Sequence, residues 1–175
     1  MGNKSIKKVV MLLLTVLPLY FYGQECVDYH RLKCSSDPNK KTLIAGEKTS
    51  EGYSYNPDSR SGLLLKGQTS EFKIELRQEK DYRITVCYDD ILGDKVSFKI
   101  LDYEDNSVLY NSADNNYEKV FEFQVQVTRP VKIVVMVPAD SKPTEATVLG
   151  LKAKTTQMGC VGILIETMVT PKTGF

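Results

Sequence analysis

The run Glu71-Phe72-Lys73-Ile74-Glu75-Leu76-Arg77, followed after a polar break by Tyr82-Arg83-Ile84-Thr85-Val86-Cys87-Tyr88-Asp89, sets the class of this chain. Phe72, Ile74 and Leu76 alternate with charged residues, and Tyr82, Ile84, Val86 and Tyr88 alternate with Arg83, Thr85, Cys87 and Asp89. A period of two puts successive side chains on opposite faces of a strand, so each run has one apolar and one wet face.

The same period recurs downstream. Val96, Phe98 and Ile100 alternate with Lys95, Ser97 and Lys99, and Phe121, Phe123, Val125 and Val127 alternate with Glu122, Gln124 and Gln126. A short strand is expected near Val108 to Tyr110. From Val131 to Val137 the alternation is lost, because Val134 and Met136 occupy the second phase, which predicts a central strand covered on both faces. Val161 to Ile165 is read as the run that closes the sheet. Polar breaks at Gln78 to Asp81, Leu92 to Asp94, Glu104 to Asn106, Asp114 to Asn116 and Arg129-Pro130 separate these runs. Residues 139–147 read as a Pro-interrupted loop, and no stretch carries a sustained helical period. The expected architecture is an all-β, antiparallel two-sheet β-sandwich, jelly-roll-like, of about eight strands. Its core should hold Phe72, Ile74, Leu76, Tyr82, Ile84, Val86, Val96, Phe98, Ile100, Phe121, Phe123, Val125, Val127, Ile133 and Val135.

Upstream of the sandwich the composition changes twice. Lys4, Lys7 and Lys8 precede an apolar stretch from Val9 to Tyr22, which is shorter than the ~20 residues of a bilayer crossing and contains Pro18. Residues 1–23 therefore read as a secretory signal peptide, with the membrane met only during export. Phe21 and Tyr22 fit the small-residue rule at the cleavage site poorly, and Glu25 before Cys26 is wrong for lipidation. Removing the three leader lysines turns a formal charge of +1 into −2. Residues 24–61 are polar and turn-rich and read as an irregular N-terminal arm, 62–170 as the sandwich, and 171–175 as a tail.

Export makes Cys26, Cys34, Cys87 and Cys160 a disulfide set, since an even number of cysteines without a C-x-x-C is to be expected in an oxidising compartment. Three pairings are open. Joining like with like, Cys26 to Cys34 in the arm and Cys87 to Cys160 in strand runs, is the preferred one; the alternative for the second pair is two small buried thiols.

The runs Lys66-Gly67-Gln68-Thr69-Ser70-Glu71-Phe72, Asp81-Tyr82-Arg83-Ile84-Thr85-Val86-Cys87 and Leu92-Gly93-Asp94-Lys95-Val96-Ser97-Phe98-Lys99-Ile100 together resemble a family of small secreted proteins of Bacteroidetes-type bacteria with no assigned activity, over about residues 26–165. In layout, with Val108-Leu109-Tyr110 ending a strand, the chain is similar to pre-peptidase C-terminal and GOLD-type sandwiches. These resemblances imply export and a sandwich, and bring no catalytic residues.

Little of the sequence speaks for chemistry. The near balance of 23 basic and 22 acidic residues argues against nucleic acid as a partner. His30 is the single histidine and sits between two cysteines of the arm, a poor place for a catalytic base or a zinc site. Asp89, Asp90 and Asp94 are weak calcium candidates, because acidic hairpin loops use such residues for local hydrogen bonds. No catalytic residue and no cofactor is assigned. Tyr53, Tyr55 and Tyr117 are the candidate ligand-binding residues, as loop tyrosines able to stack on a sugar or fill a protein interface. The expected function is an exported, secreted or periplasmic, non-enzymatic accessory domain with a protein or glycan partner. A carbohydrate-binding module is the alternative, and an exported hydrolase the last choice.

Overall fold

A computed structural model of the chain describes residues 26–35, 52–139, 144–148, 151–155 and 157–170. The expected signal peptide and C-terminal tail lie outside these residues. The elements are helix α1 (Tyr29–Lys33) and strands β1 (Ser54–Tyr55), β2 (Arg60–Leu65), β3 (Thr69–Leu76), β4 (Lys80–Tyr88), β5 (Ser97–Asp102), β6 (Val108–Asn111), β7 (Val120–Val125), β8 (Arg129–Met136), β9 (Thr144–Val148), β10 (Leu151–Thr155) and β11 (Met158–Val169). Short 3-10 turns cover Asp90–Leu92 and Ser112–Asn115. Among the described residues no helix is long and apolar enough to cross a membrane.

The strands form two antiparallel sheets and one separate hairpin. The first sheet runs β2–β11–β4–β7, with β1 continuing beyond β2 along the same edge of β11; the second runs β3–β8–β5–β6; β9 pairs with β10. This two-sheet order, β2–β11–β4–β7 facing β3–β8–β5–β6, is that of an eight-stranded jelly roll, to which β1 and the hairpin are additions. It bears out the expected fold class.

The apolar phases meet between the sheets. Ile163 and Ile165 of β11 stand opposite Val86 and Ile84 of β4, while Phe72 of β3 and Ile100 of β5 flank Ile133 of β8. Ile84, Val131, Ile133, Val135 and Ile165 are completely buried. Tyr110, Phe121 and Phe123 stack in series at one side, with ring centroids 3.7 Å and 5.1 Å apart.

The structure corrects several expectations. Val127 lies beyond the end of β7 and is 68% exposed, since pairing with β4 ends at Val125. β11 is a central strand of twelve residues and closes nothing: its run from Val161 to Ile165 is apolar on both phases because both faces are covered, the rule applied above to β8. Residues 144–147, expected within a loop, belong to β9 (Thr144–Val148), whose Thr-Glu-Ala-Thr-Val run is rich in β-branched residues. The segment read as an irregular arm contains α1, β1 and the first two residues of β2. Its turn signals between residues 36 and 51 lie outside the described residues.

Candidate functional site

The outward face of the first sheet is where the N-terminal segment settles. Cys160, Gly162, Leu164 and Glu166 form one row along β11, and Cys87 of β4 stands opposite Gly162. Residues 26–34 lie across this row as a strap whose two ends are bonded to it, Cys26 to Cys160 and Cys34 to Cys87. The pairing of like with like is thereby corrected. Cys26 and Cys34 lie on either side of the five-residue helix α1, at opposite ends of the strap, so each meets a different strand of the sheet. Cys87 and Cys160 do share the outer phase, but each takes its partner from the strap. Gly162 makes the seating possible: a Cβ there would lie 2.7 Å from His30 Cα and 2.8 Å from His30 N.

His30 is buried at the centre of the strap. Its backbone N–H donates to Ser61 Oγ at 2.8 Å, its Nδ1 is paired with the same hydroxyl, and its Nε2 lies 3.2 Å from Tyr55 Oη. Arg31 donates to Tyr55 Oη at 3.3 Å, and its guanidinium carbon sits 4.9 Å from the Tyr55 ring centre. Burial holds the imidazole pKa below its ordinary value; the Arg31 charge adds to this, and Asp28 opposes it. Both ring nitrogens are thus committed to structure.

The candidate residues are dispersed. Tyr55 is buried against Leu164 and Cys34, and Tyr53 is buried beneath Arg83, whose guanidinium carbon lies 4.1 Å from its ring centre. Arg83 in turn pairs with Glu122 at 2.6 Å and with Glu166 at 3.8 Å. Both tyrosines are buried, each with a guanidinium group against its ring, Arg83 at Tyr53 and Arg31 at Tyr55. Tyr117 is elsewhere, after the turn Ser112–Asn115, with its N–H donated to Ser112 O. Asp89 accepts from Tyr29 Oη at 2.8 Å and from the Cys160 N–H at 2.7 Å, so both of its oxygens tie the strap and β11 to the end of β4. Burial, followed by that Asp89 hydrogen bond, pushes the Tyr29 phenol far above its ordinary pKa. Asp90 begins the turn Asp90–Leu92, and the described residues contain no group of three or more side chains placed to hold a metal ion.

Open surface remains on both sides of the strap. Toward β7 there is a cleft of about 490 Å³, lined among others by Tyr29, Lys33, Cys34, Cys87, Tyr88 and Lys119. Toward β2 the surface is apolar. Leu63 stands opposite Cys160 and Leu65 opposite Met158, so Leu63, Leu65 and Met158 share the outer phase beside the Cys26–Cys160 crosslink. They are exposed, as is Val27 next to Cys26. The pairing register makes this patch visible, whereas in the sequence Leu63-Leu64-Leu65 shows no alternation and its faces cannot be assigned.

No protein-family model matches the chain, and no curated protein matches it. Among solved structures it is similar to the PliG of Aeromonas hydrophila, a periplasmic lysozyme inhibitor of g-type lysozyme, at 6% identity, covering 70% of this chain and 93% of that one with a TM-score of 0.44.

Proposed function

We propose that this chain is an exported, non-enzymatic jelly-roll domain that binds a protein partner through the strap-bearing face of its first sheet. The observation that carries this is the exposed apolar patch of Leu63, Leu65 and Met158 beside the Cys26–Cys160 crosslink, with exposed Val27 next to Cys26 in the strap. Apolar surface gathered in one place is what protein contacts use, whereas single exposed apolar residues mean little.

Export is supported by the basic and apolar leader and by the pairing of all four cysteines, a condition of oxidising compartments. Membership of the Bacteroidetes-type family of small secreted proteins belongs to the same proposal. Non-enzymatic action is supported by the engagement of both His30 nitrogens with Ser61 and Tyr55. A glycan partner has less support, since Tyr53 and Tyr55 are buried.

The test is capture from the native envelope and culture fractions with the oxidised protein as bait. Wild type and Val108→Lys, a control on the second sheet, should retain the same stoichiometric partner, and the Leu63→Lys/Met158→Lys variant should lose it while its melting curve stays cooperative. Capture of no stoichiometric partner, or equal capture by all three proteins, would overturn the proposal.

A further inference from the structure

The two disulfides have unlike surroundings. Cys26, Cys160 and Cys34 are buried, whereas Cys87 is half-buried, and with Cys34 it lines the open cleft beside α1. The Cys26–Cys160 bond also has its backbone secured, because the Cys160 N–H donates to Asp89 and its carbonyl accepts from the Asp89 N–H.

The cleft carries charges of both signs. Lys33 and Lys119 line it, the Lys119 ammonium standing 4.4 Å from the Tyr88 ring centre. Asp89 and Asp90 face them, Asp89 with its two oxygens hydrogen-bonded to Tyr29 and Cys160, so the four charges balance and an anion enters without net repulsion. Thiolate, the attacking species in disulfide exchange, is an anion.

We propose that the Cys34–Cys87 disulfide is a thiol-exchange and S-thiolation site for a small thiol of low molecular mass, opened while Cys26–Cys160 stays closed. The thiolate sulfur bonds to Cys87 Sγ, the Sγ–Sγ bond breaks, and its electron pair leaves on Cys34 Sγ, which takes a proton. Cys87 then carries the mixed disulfide. A second equivalent of thiolate attacks the adduct's outer sulfur, forming the small-molecule disulfide and releasing Cys87 as a thiolate that is protonated in turn. Two electrons pass from the two small thiols to the protein disulfide. The consequence is local: the Cys34 end of α1 comes free and Leu164, packed beneath Cys34 and Tyr55, is uncovered, while Cys26 keeps the strap attached.

The test uses the oxidised full exported chain with reduced glutathione in graded excess, quenched with N-ethylmaleimide and mapped by mass spectrometry. The expected products are glutathione on Cys87 and maleimide on Cys34, formed at least about tenfold faster than any opening of Cys26–Cys160. Lys33→Glu/Lys119→Glu should slow the reaction several-fold, and the wild-type product map tests the proposal if that variant fails to fold. Equal opening of both disulfides, prior opening of Cys26–Cys160, or an adduct on Cys34 would each overturn the proposal.

Discussion

Gly162→Ala isolates the fit between strap and sheet. The added Cβ would meet His30 Cα at 2.7 Å, His30 N at 2.8 Å and Cys34 Sγ at 2.9 Å, against the 3.4–4 Å of ordinary contact. Two of these atoms are backbone, and the segment bearing them is bonded to the sheet at both ends, so it cannot step aside without straining a crosslink. On the other side β11 is fixed between β2 and β4. Overpacking of this kind costs ~1–3 kcal/mol. Loss of glycine's unfolded-state freedom offsets ~0.4–1 kcal/mol of it. A net cost of ~1–2 kcal/mol lowers Tm by about 2–8 °C in a domain of this size. Gly62→Ala is the control: it also lies in the first sheet, and its Cβ would meet nothing within 4 Å, so its Tm should hold or rise slightly. In a Cys34→Ser/Cys87→Ser background the strap can yield, and the Gly162→Ala penalty should shrink, a non-additivity expected of neighbours. Thermal and urea denaturation of the oxidised proteins measures all of these. Equal stability of Gly162→Ala and Gly62→Ala, with unchanged amide exchange in α1, would refute the reasoning.

Three further outcomes are expected. Non-reducing peptide mapping should join Cys26 to Cys160 and Cys34 to Cys87, and a Cys26–Cys34 or Cys87–Cys160 peptide would refute the strap. Because burial lowers the folded-state pKa of His30 below the ordinary 6.5, the folded state binds fewer protons than the unfolded one; this contribution is complete above that value and is lost as pH falls below it, by at most ~1.4 kcal/mol per pH unit. His30→Gln should flatten that part of the stability profile in urea titrations from pH 7.5 to 5, and an unchanged slope would refute the assignment. Ile133→Ala, at a completely buried site, should cost ~2–5 kcal/mol, whereas Val127→Ala should stay within about 0.5 kcal/mol of wild type in the same denaturation assay.

The sandwich was legible where a strand has one wet face. Tyr82, Ile84 and Val86 alternate with Arg83, Thr85 and Cys87 and point to the core as their period requires. β11 was legible as a strand, but its place was not, because a run apolar on both phases says that it is covered without saying by what. Cys87 and Cys160 could be placed on the outer face, but their partners could not: a nine-residue segment more than fifty positions from Cys87 lies there, and it fits because of one glycine in β11. The burial of Tyr53 and Tyr55 was not legible for a similar reason. Their burial depends on Arg83 and Arg31, and local sequence carries no trace of a cation that arrives through tertiary packing.

The link from Cys26 to Cys160 spans 134 positions and joins the first described residue to the last strand. In a chain delivered to its compartment amino end first, Cys26 and Cys34 arrive together, and Cys160 arrives after every strand from β1 to β10. β11, the strand that β1, β2 and β4 all pair with, arrives at the same late moment. Early oxidation of the neighbouring cysteines would give a pairing that the finished fold excludes. Both native crosslinks therefore wait on strands made later than the strap, β4 for Cys34 and β11 for Cys26.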